Sequence, residues 1–239
     1  MKTFGSSNQV KITTSYLIEK GGDEAEKQVE GKLMNGLSTI GDNTGKILSQ
    51  QKVGPTIADD IKTSAVWAIL LSLAAVFFYI YIRFKRWQFG MGAMVALLHD
   101  VLILLSLFSI FNGILPFSLD IDQQFIAAVL TVMGYSMNDT VIVYDRIRED
   151  SVLMKGSDNG IIINRAINQT LSRTIMTSVT VFLTILILFI FGGEVTRGFA
   201  FAMLIGVIVG SYSSIFVAAP VLVDFAKNKP LGRDEKKKK

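Results

Sequence analysis

Polar and apolar residues fall in long blocks along this chain rather than in short alternations. Residues 63–82 (TSAVWAILLSLAAVFFYIYI) carry no charge, and further uncharged runs follow at 87–98, 101–119, 123–138, 174–193 and 198–223. About twenty apolar residues cross a bilayer core as a helix. Only His99 and Asp100 separate the second run from the third, so these two merge. The pattern predicts a polytopic α-helical membrane protein with five transmembrane helices, at about 63–83, 90–111, 123–144, 174–192 and 198–224.

The block ahead of them is different. Residues 1–62 hold eight Lys against eight Asp+Glu. Residues 10–18 (VKITTSYLI) alternate and are β-branched, which suggests a strand. After the Gly21-Gly22 break, DEAEKQVEGKLMNGL at 23–37 places Val29, Leu33 and Leu37 on one helical face. Residues 47–53 suggest a second strand, ended by Gly54-Pro55. A strand–helix–strand unit of this size is half of a small α+β domain, because so few residues bury little core. The remaining strands are expected from upstream sequence or a partner chain. The predicted organisation is a partial α+β domain over 1–61, a transmembrane domain over 62–226 and a basic tail over 227–239.

Composition narrows the function. The 239 residues include 24 Lys+Arg against 20 Asp+Glu, one His and no Cys, with 18% charged residues and a mean hydropathy of +0.45. That hydropathy argues against disorder and against an ordinary water-soluble enzyme. Without Cys there is no disulfide framework, thiolate nucleophile or cysteine zinc site. A single His leaves the His99-Asp100 pair without the second His that a zinc protease or phosphohydrolase needs. Nothing in the sequence asks for a metal or a cofactor.

The +4 balance would point to nucleic acid only on a soluble surface. Instead Arg83, Lys85 and Arg86 follow the first span, Arg146, Arg148, Lys155 and Arg165 follow the third, and seven Lys or Arg lie in the tail. The opposite connections hold only Arg197. Positive charge accumulates on the cytoplasmic side of short loops, so the tail is expected to be cytoplasmic and residues 1–62 external. The polar start at Met1-Lys2-Thr3 carries no signal peptide. An odd number of spans beginning outside then implies that the chain is a piece of a larger product.

Charged groups within a span cost about 2.5–3.5 kcal/mol at mid-helix, so each needs a reason. Asp139 lies one to two turns inside the third span, where a lone carboxylate can take up and release protons. Thr131, Tyr135 and Asn138 share a helical face with it. Arg173 opens the fourth span, with Thr177, Thr180 and Thr184 climbing the same face, and is the expected charge partner of Asp139. Snorkelling of Arg173 and hydroxyls bonded back to their own helix is the competing account. His99 and Asp100, the deepest charges on the linear map, either extend a relay or bond to neighbouring helices. The fifth span carries Gly198, Ala202, Gly206, Gly210, Ser214 and Ala218 at every fourth position, which allows close helix approach.

VGPTIADDIK before the first span, LLHDV in the second, GYSMNDTVIVYDRIRE in the third and INQTLSRTIMTS opening the fourth closely resemble the SecF branch of the SecD/SecF protein-export family. The resemblance covers nearly the whole chain from about Thr3. It implies a six-helix unit of the resistance-nodulation-division superfamily, pairing with a six-helix SecD unit or fused to it in one polypeptide. It further implies a bacterial inner-membrane protein that uses the proton-motive force to promote translocation and release of unfolded preproteins at the periplasmic side. Its implied partners are SecD, the SecYEG translocon with SecA, and YidC, with no nucleic acid. Carried over, Asp139 is the protonatable carboxylate and Arg173 its charged partner. Asn138, Tyr135, Thr177, His99 and Asp100 support them. The family's first helix and opening strands are missing at the front, in line with the odd span count. The SecD half's carboxylate must lie elsewhere. Two other readings stay open: a lipid or drug exporter subunit of the same superfamily, and a structural scaffold in which Asp139 and Arg173 only lock helices together.

Overall fold

The computed structural model describes residues 2–3, 10–12, 14, 16–17, 23–40, 45–48, 55–117, 119–226 and 231. The chain divides into two compact units, residues 1–66 and 67–239. In the first, two short strands, β1 (Lys2–Thr3) and β2 (Val10–Lys11), pair antiparallel with Thr3 opposite Val10. Helix α1 (Asp23–Ser38) buries Ala25 and half-buries Val29, Leu33 and Leu37, the predicted face. The Lys32 ammonium sits 4.4 Å from the centre of the Tyr16 ring.

The strand expected over 10–18 is regular only at Val10–Lys11. Tyr16 and Leu17 form a turn with Leu17 at φ 55, a left-handed backbone that ends an extended run. Residues 45–48 are irregular, and the rest of the expected second strand lies outside the described residues.

The second unit is helical. Five of its helical stretches are long and apolar enough to cross a membrane. Helix α2 (Pro55–Phe84) opens on Pro55, whose fixed φ suits a first helical position and whose missing N–H costs nothing there. Pro55, expected to help end a strand, therefore opens a helix. Lys85 and Arg86 alone connect it to α3 (Trp87–Phe111), with Lys85 at φ 58 and its N–H bonded to Tyr81 O at 2.7 Å.

Helix α4 (Gln123–Leu153) is capped by Asp122, whose side chain accepts from Phe125 N at 2.9 Å. Helix α5 (Asn159–Phe191) is capped by Asp158, which accepts from Gly160 N at 2.8 Å. Both helices run well past the apolar segments, so most of the basic loop expected between them is helix. The polar extension of α4 holds itself with pairs one turn apart, Arg146–Glu149 at 2.7 Å and Arg148–Asp145 at 3.2 Å.

Helix α6 (Gly193–Ser213) runs through a π-helical turn (Ser214–Ala218) into α7 (Ala219–Ala226). α4 and α6 form the centre of the bundle. A Cβ on Gly206 would overlap the Val132 side chain, and one on Gly210 would lie 2.9 Å from Ser136 Cβ. The small-residue stripe is thus the surface on which α6 meets α4. A four-residue spacing gains about 40° per step on a 3.6-residue turn. The wider π turn takes back part of that lead. Ser214 and Ala218 consequently stay buried facing α4.

Two apolar clusters occupy the bundle. One gathers Ile80, Phe84, Phe89, Val143, Tyr144 and Leu222, and the other Leu97, Leu104, Phe108, Phe125, Val132 and Met203. Tyr144 is fully buried, edge-on to Phe89 at 5.0 Å, and its hydroxyl donates to Ala218 O in the π turn at 3.2 Å. Hydrogen bonds between membrane helices average about 0.6 kcal/mol, with a maximum near 1.7. Tyr144→Phe is expected to lower stability within that range, read as a shifted unfolding midpoint in mixed micelles. A loss above about 3 kcal/mol would mean that the hydroxyl holds more than this one carbonyl.

Candidate functional site

Along α4 and α6, the buried Ser136, Asp139, Thr140, Ser213 and Ser214 fall between the residues of the two apolar clusters. Asp139 is 1% exposed, and Ser211 Oγ of α6 donates to its Oδ2 at 3.3 Å. Ser211 Oγ lies 2.5 Å from Ser178 Oγ of α5, which accepts from Tyr135 Oη at 3.0 Å. Three hydroxyls therefore lead from Tyr135 through Ser178 and Ser211 to Asp139. Each hydroxyl can donate one hydrogen bond while accepting another, so the row can pass a proton along when Ser178 and Ser211 turn from Thr174 O (2.6 Å) and Val207 O (2.9 Å), to which they also donate.

On the other side of the α4–α6 seam lies a second carboxylate. Asp100 of α3 is fully buried and accepts at Oδ2 from Ser136 Oγ (2.6 Å) and Ser213 Oγ (2.9 Å), with His99 Nδ1 3.1 Å from Oδ1. Thr140 and Ser214 continue the layer, their hydroxyls 2.9 Å apart. Ser136 lies one turn from Asp139 on α4, and Ser213 lies two residues from Ser211 on α6. The two carboxylates thus share a level, and the same stretch of α6 holds both.

The remaining expected residues stand elsewhere. Asn138 is exposed on the far face of α4. Thr177, Thr180 and Thr184 are exposed, with hydroxyls bonded back to Arg173 O, Met176 O and Thr180 O. Arg173 is exposed at the mouth of a cavity between helix ends and makes no ion pair with Asp139, on which it acts through its charge. The geometry brings together Asp139, Tyr135, Asp100 and His99, and leaves Asn138 and Thr177 outside the hydrogen-bonded set. The residues that complete the site are hydroxyls: Ser136, Thr140, Ser178, Ser211, Ser213 and Ser214. Their signal was the SYSS stretch at 211–214 within an otherwise apolar helix, which a search for charge passes over.

The protein-export membrane protein SecD/SecF C-terminal family matches residues 34–228. The chain belongs to the SecD/SecF family. It is 55% identical over 179 residues to the protein translocase subunit SecF of Rhodothermus marinus, covering 75% of this chain and 58% of that protein. It is 43% identical over 204 residues to the protein translocase subunit SecDF of Brucella abortus biovar 1, covering 85% of this chain and 26% of that one. The SecF of Koribacter versatilis is matched over 51% of its length, so the chain spans little more than half of such relatives. A crystal structure of SecDF in a super-membrane-facing form superposes with a TM-score of 0.63 at 36% identity, covering 86% of this chain and 26% of that one. Family membership and the apolar helices make this a multi-pass membrane protein.

Proposed function

We propose that this chain supplies the SecF half of a proton-driven accessory unit of Sec protein export in the bacterial inner membrane. Residues 1–61 are its periplasmic part, and the segment from 227 onward is its cytoplasmic tail. Its partners are SecD, separate or fused, and the SecYEG translocon with SecA. YidC is an additional contact, and the cargo is an unfolded preprotein. The relatives' names, translocase subunits SecF and SecDF, support the export role. The observation that carries the coupling is the buried Asp139 at the end of a hydroxyl row, tied to the same serine stretch of α6 as Asp100.

Protonation of Asp139 removes the charge that Arg173 faces and weakens the hold of Ser211 on the carboxylate. α6 then shifts against α4 along the Gly206–Gly210 contact, and the π turn below absorbs the change in register. Deprotonation to the other side resets the pair. A proton crossing 100 mV supplies about 2.3 kcal/mol. That is roughly fiftyfold in an equilibrium constant, sufficient to bias two packings of one seam.

The bond from Ser211 to Asp139 also fits a second reading, a scaffold in which the carboxylate only ties α6 to α4. Asp139→Asn separates the two. A scaffold keeps preprotein release, because the amide oxygen still accepts from Ser211, whereas a relay becomes inactive because the side chain no longer takes up a proton. Release at more than half the native rate by the variant would sink the relay.

A further inference from the structure

At one membrane boundary the last residues of α2, the Lys85-Arg86 connection, the C-terminal part of α4 and the Thr170–Arg173 turn of α5 border an open cavity of about 960 Å3, at the upper end of the range for small-molecule sites, roughly 300–1,000 Å3. Arg83, Lys85, Arg86, Arg146, Arg148 and Arg173 line it, against only Asp145 and Glu149. Both carboxylates are already engaged. Asp145 is shared by Arg83 at 3.0 Å and Arg148 at 3.2 Å, and Glu149 is held by Arg146 at 2.7 Å. Among the described residues, the Lys85 ammonium and the Arg173 guanidinium have no ion-pair partner, and both are exposed.

The guanidinium carbons of Arg83 and Arg148 lie 5.4 and 5.6 Å from the centre of the Phe84 ring, which holds them beside the cavity. Along α4 the lining passes from Ile142, near the end of the helix's apolar run, through the charged turn Asp145–Glu149 to Val152 and Leu153.

We propose that this cavity is a binding site for an anionic glycerophospholipid, with the phosphate among Lys85, Arg148 and Arg173 and an acyl chain toward Ile142. The surplus of cation selects a phosphate. The apolar residues on either side of that charged turn, Ile142 toward the membrane span and Val152 and Leu153 beyond it, select one carried on a lipid rather than free in solution. Basic pockets between membrane helices hold anionic headgroups in this way. The site shares Arg173 with the coupling proposed above, while Lys85 and Arg148 have no part in it, so lipid binding stands whether or not the chain moves protons.

Native mass spectrometry of the full chain, released from nanodiscs of equal phosphatidylglycerol and phosphatidylcholine, tests this. Phosphatidylglycerol is expected to be retained at least tenfold over phosphatidylcholine. Each cation near an anionic surface contributes about fivefold, so Lys85→Asn with Arg148→Gln should remove most of that preference. Asn adopts the positive φ of position 85 readily, and Asp145 keeps Arg83 when Arg148 is gone. Should the double variant fail to fold, Lys85→Asn alone carries the test, with a fivefold loss expected.

Equal retention of both lipids, or unchanged selectivity in the variants, overturns the proposal. So does inorganic phosphate that displaces the lipid at equal concentration, since the acyl chain would then add nothing. A carbodiimide cross-link from Lys85 to a carboxylate of another protein in native membranes also overturns it, in favour of an acidic protein partner.

Discussion

Replacing Asp139 by Asn in the intact export complex is expected to reduce proton-dependent preprotein release to the level of membranes that lack the subunit. The substitution keeps the size of the side chain and an oxygen that can accept from Ser211, whose Oγ lies 3.3 Å from Oδ2. Packing of α4 against α6 should survive, because Asp139 contributes one hydrogen bond to a seam also held by close glycine contacts, apolar packing and the Thr140–Ser214 and Tyr144–Ala218 bonds. What disappears is the ability to change charge. With a permanently neutral side chain, the charge at position 139 is the same in every state, and the 2.3 kcal/mol or so available per proton at 100 mV no longer acts on the bundle. The measurement is release of a preprotein from vesicles with and without an imposed proton gradient, at matched amounts of complex. An unchanged response to the gradient would overturn the coupling proposed for this carboxylate, and leave the export role itself standing.

The largest structural effect is expected at Gly206. A Cβ there overlaps the Val132 side chain of α4, and no rotamer of a β-branched residue relieves that, because the clash is with the first side-chain atom. Overpacking a well-filled core costs about 1–3 kcal/mol, occasionally more. Gly206→Val should fall at or beyond the upper end, since it must push apart the two central helices, and with them the serines that hold Asp139 and Asp100. Val132→Ala in the same chain should return at least half of the lost stability, because it vacates the volume the new side chain needs. Unfolding midpoints of the two single variants and the double variant give the interaction energy directly. A Gly206→Val protein as stable as the native one would show that α6 does not lie this close to α4.

Much of the membrane part could be read from the chain alone. Bilayer thickness is a length constraint, and uncharged runs near twenty residues meet it without reference to any neighbour. The stripe from Gly198 to Ala218 likewise announced a close helix contact, and Gly206 and Gly210 are where it is made. Where helices end was not legible, because α4 and α5 continue through charged sequence. Hydropathy reports solubility in lipid, whereas the caps Asp122 and Asp158 set where α4 and α5 start and ion pairs such as Arg146–Glu149 carry α4 on through polar sequence. The small first unit shows the opposite failure: residues 10–18 have strand chemistry, yet regular pairing covers only Val10–Lys11. Two strands alone are marginal without a third or a covering layer.

For the site, the sequence by itself determined which groups are chemically exceptional. An Asp, an Arg and a His-Asp pair in membrane segments stand out because charge in lipid is costly wherever it occurs. Only the tertiary structure decided which of them meet. Asp100 and Asp139 lie on different helices and share a level because Ser136 and Ser211–Ser214 bring α3, α4 and α6 to one layer. Arg173, by contrast, stands at the cavity rim rather than against the carboxylate. The reason is physical. A charge announces itself through its own solvation, so one residue suffices to see it. A hydroxyl is cheap to bury anywhere on a helix, and becomes part of a site only through the neighbour that packing places within about 3 Å.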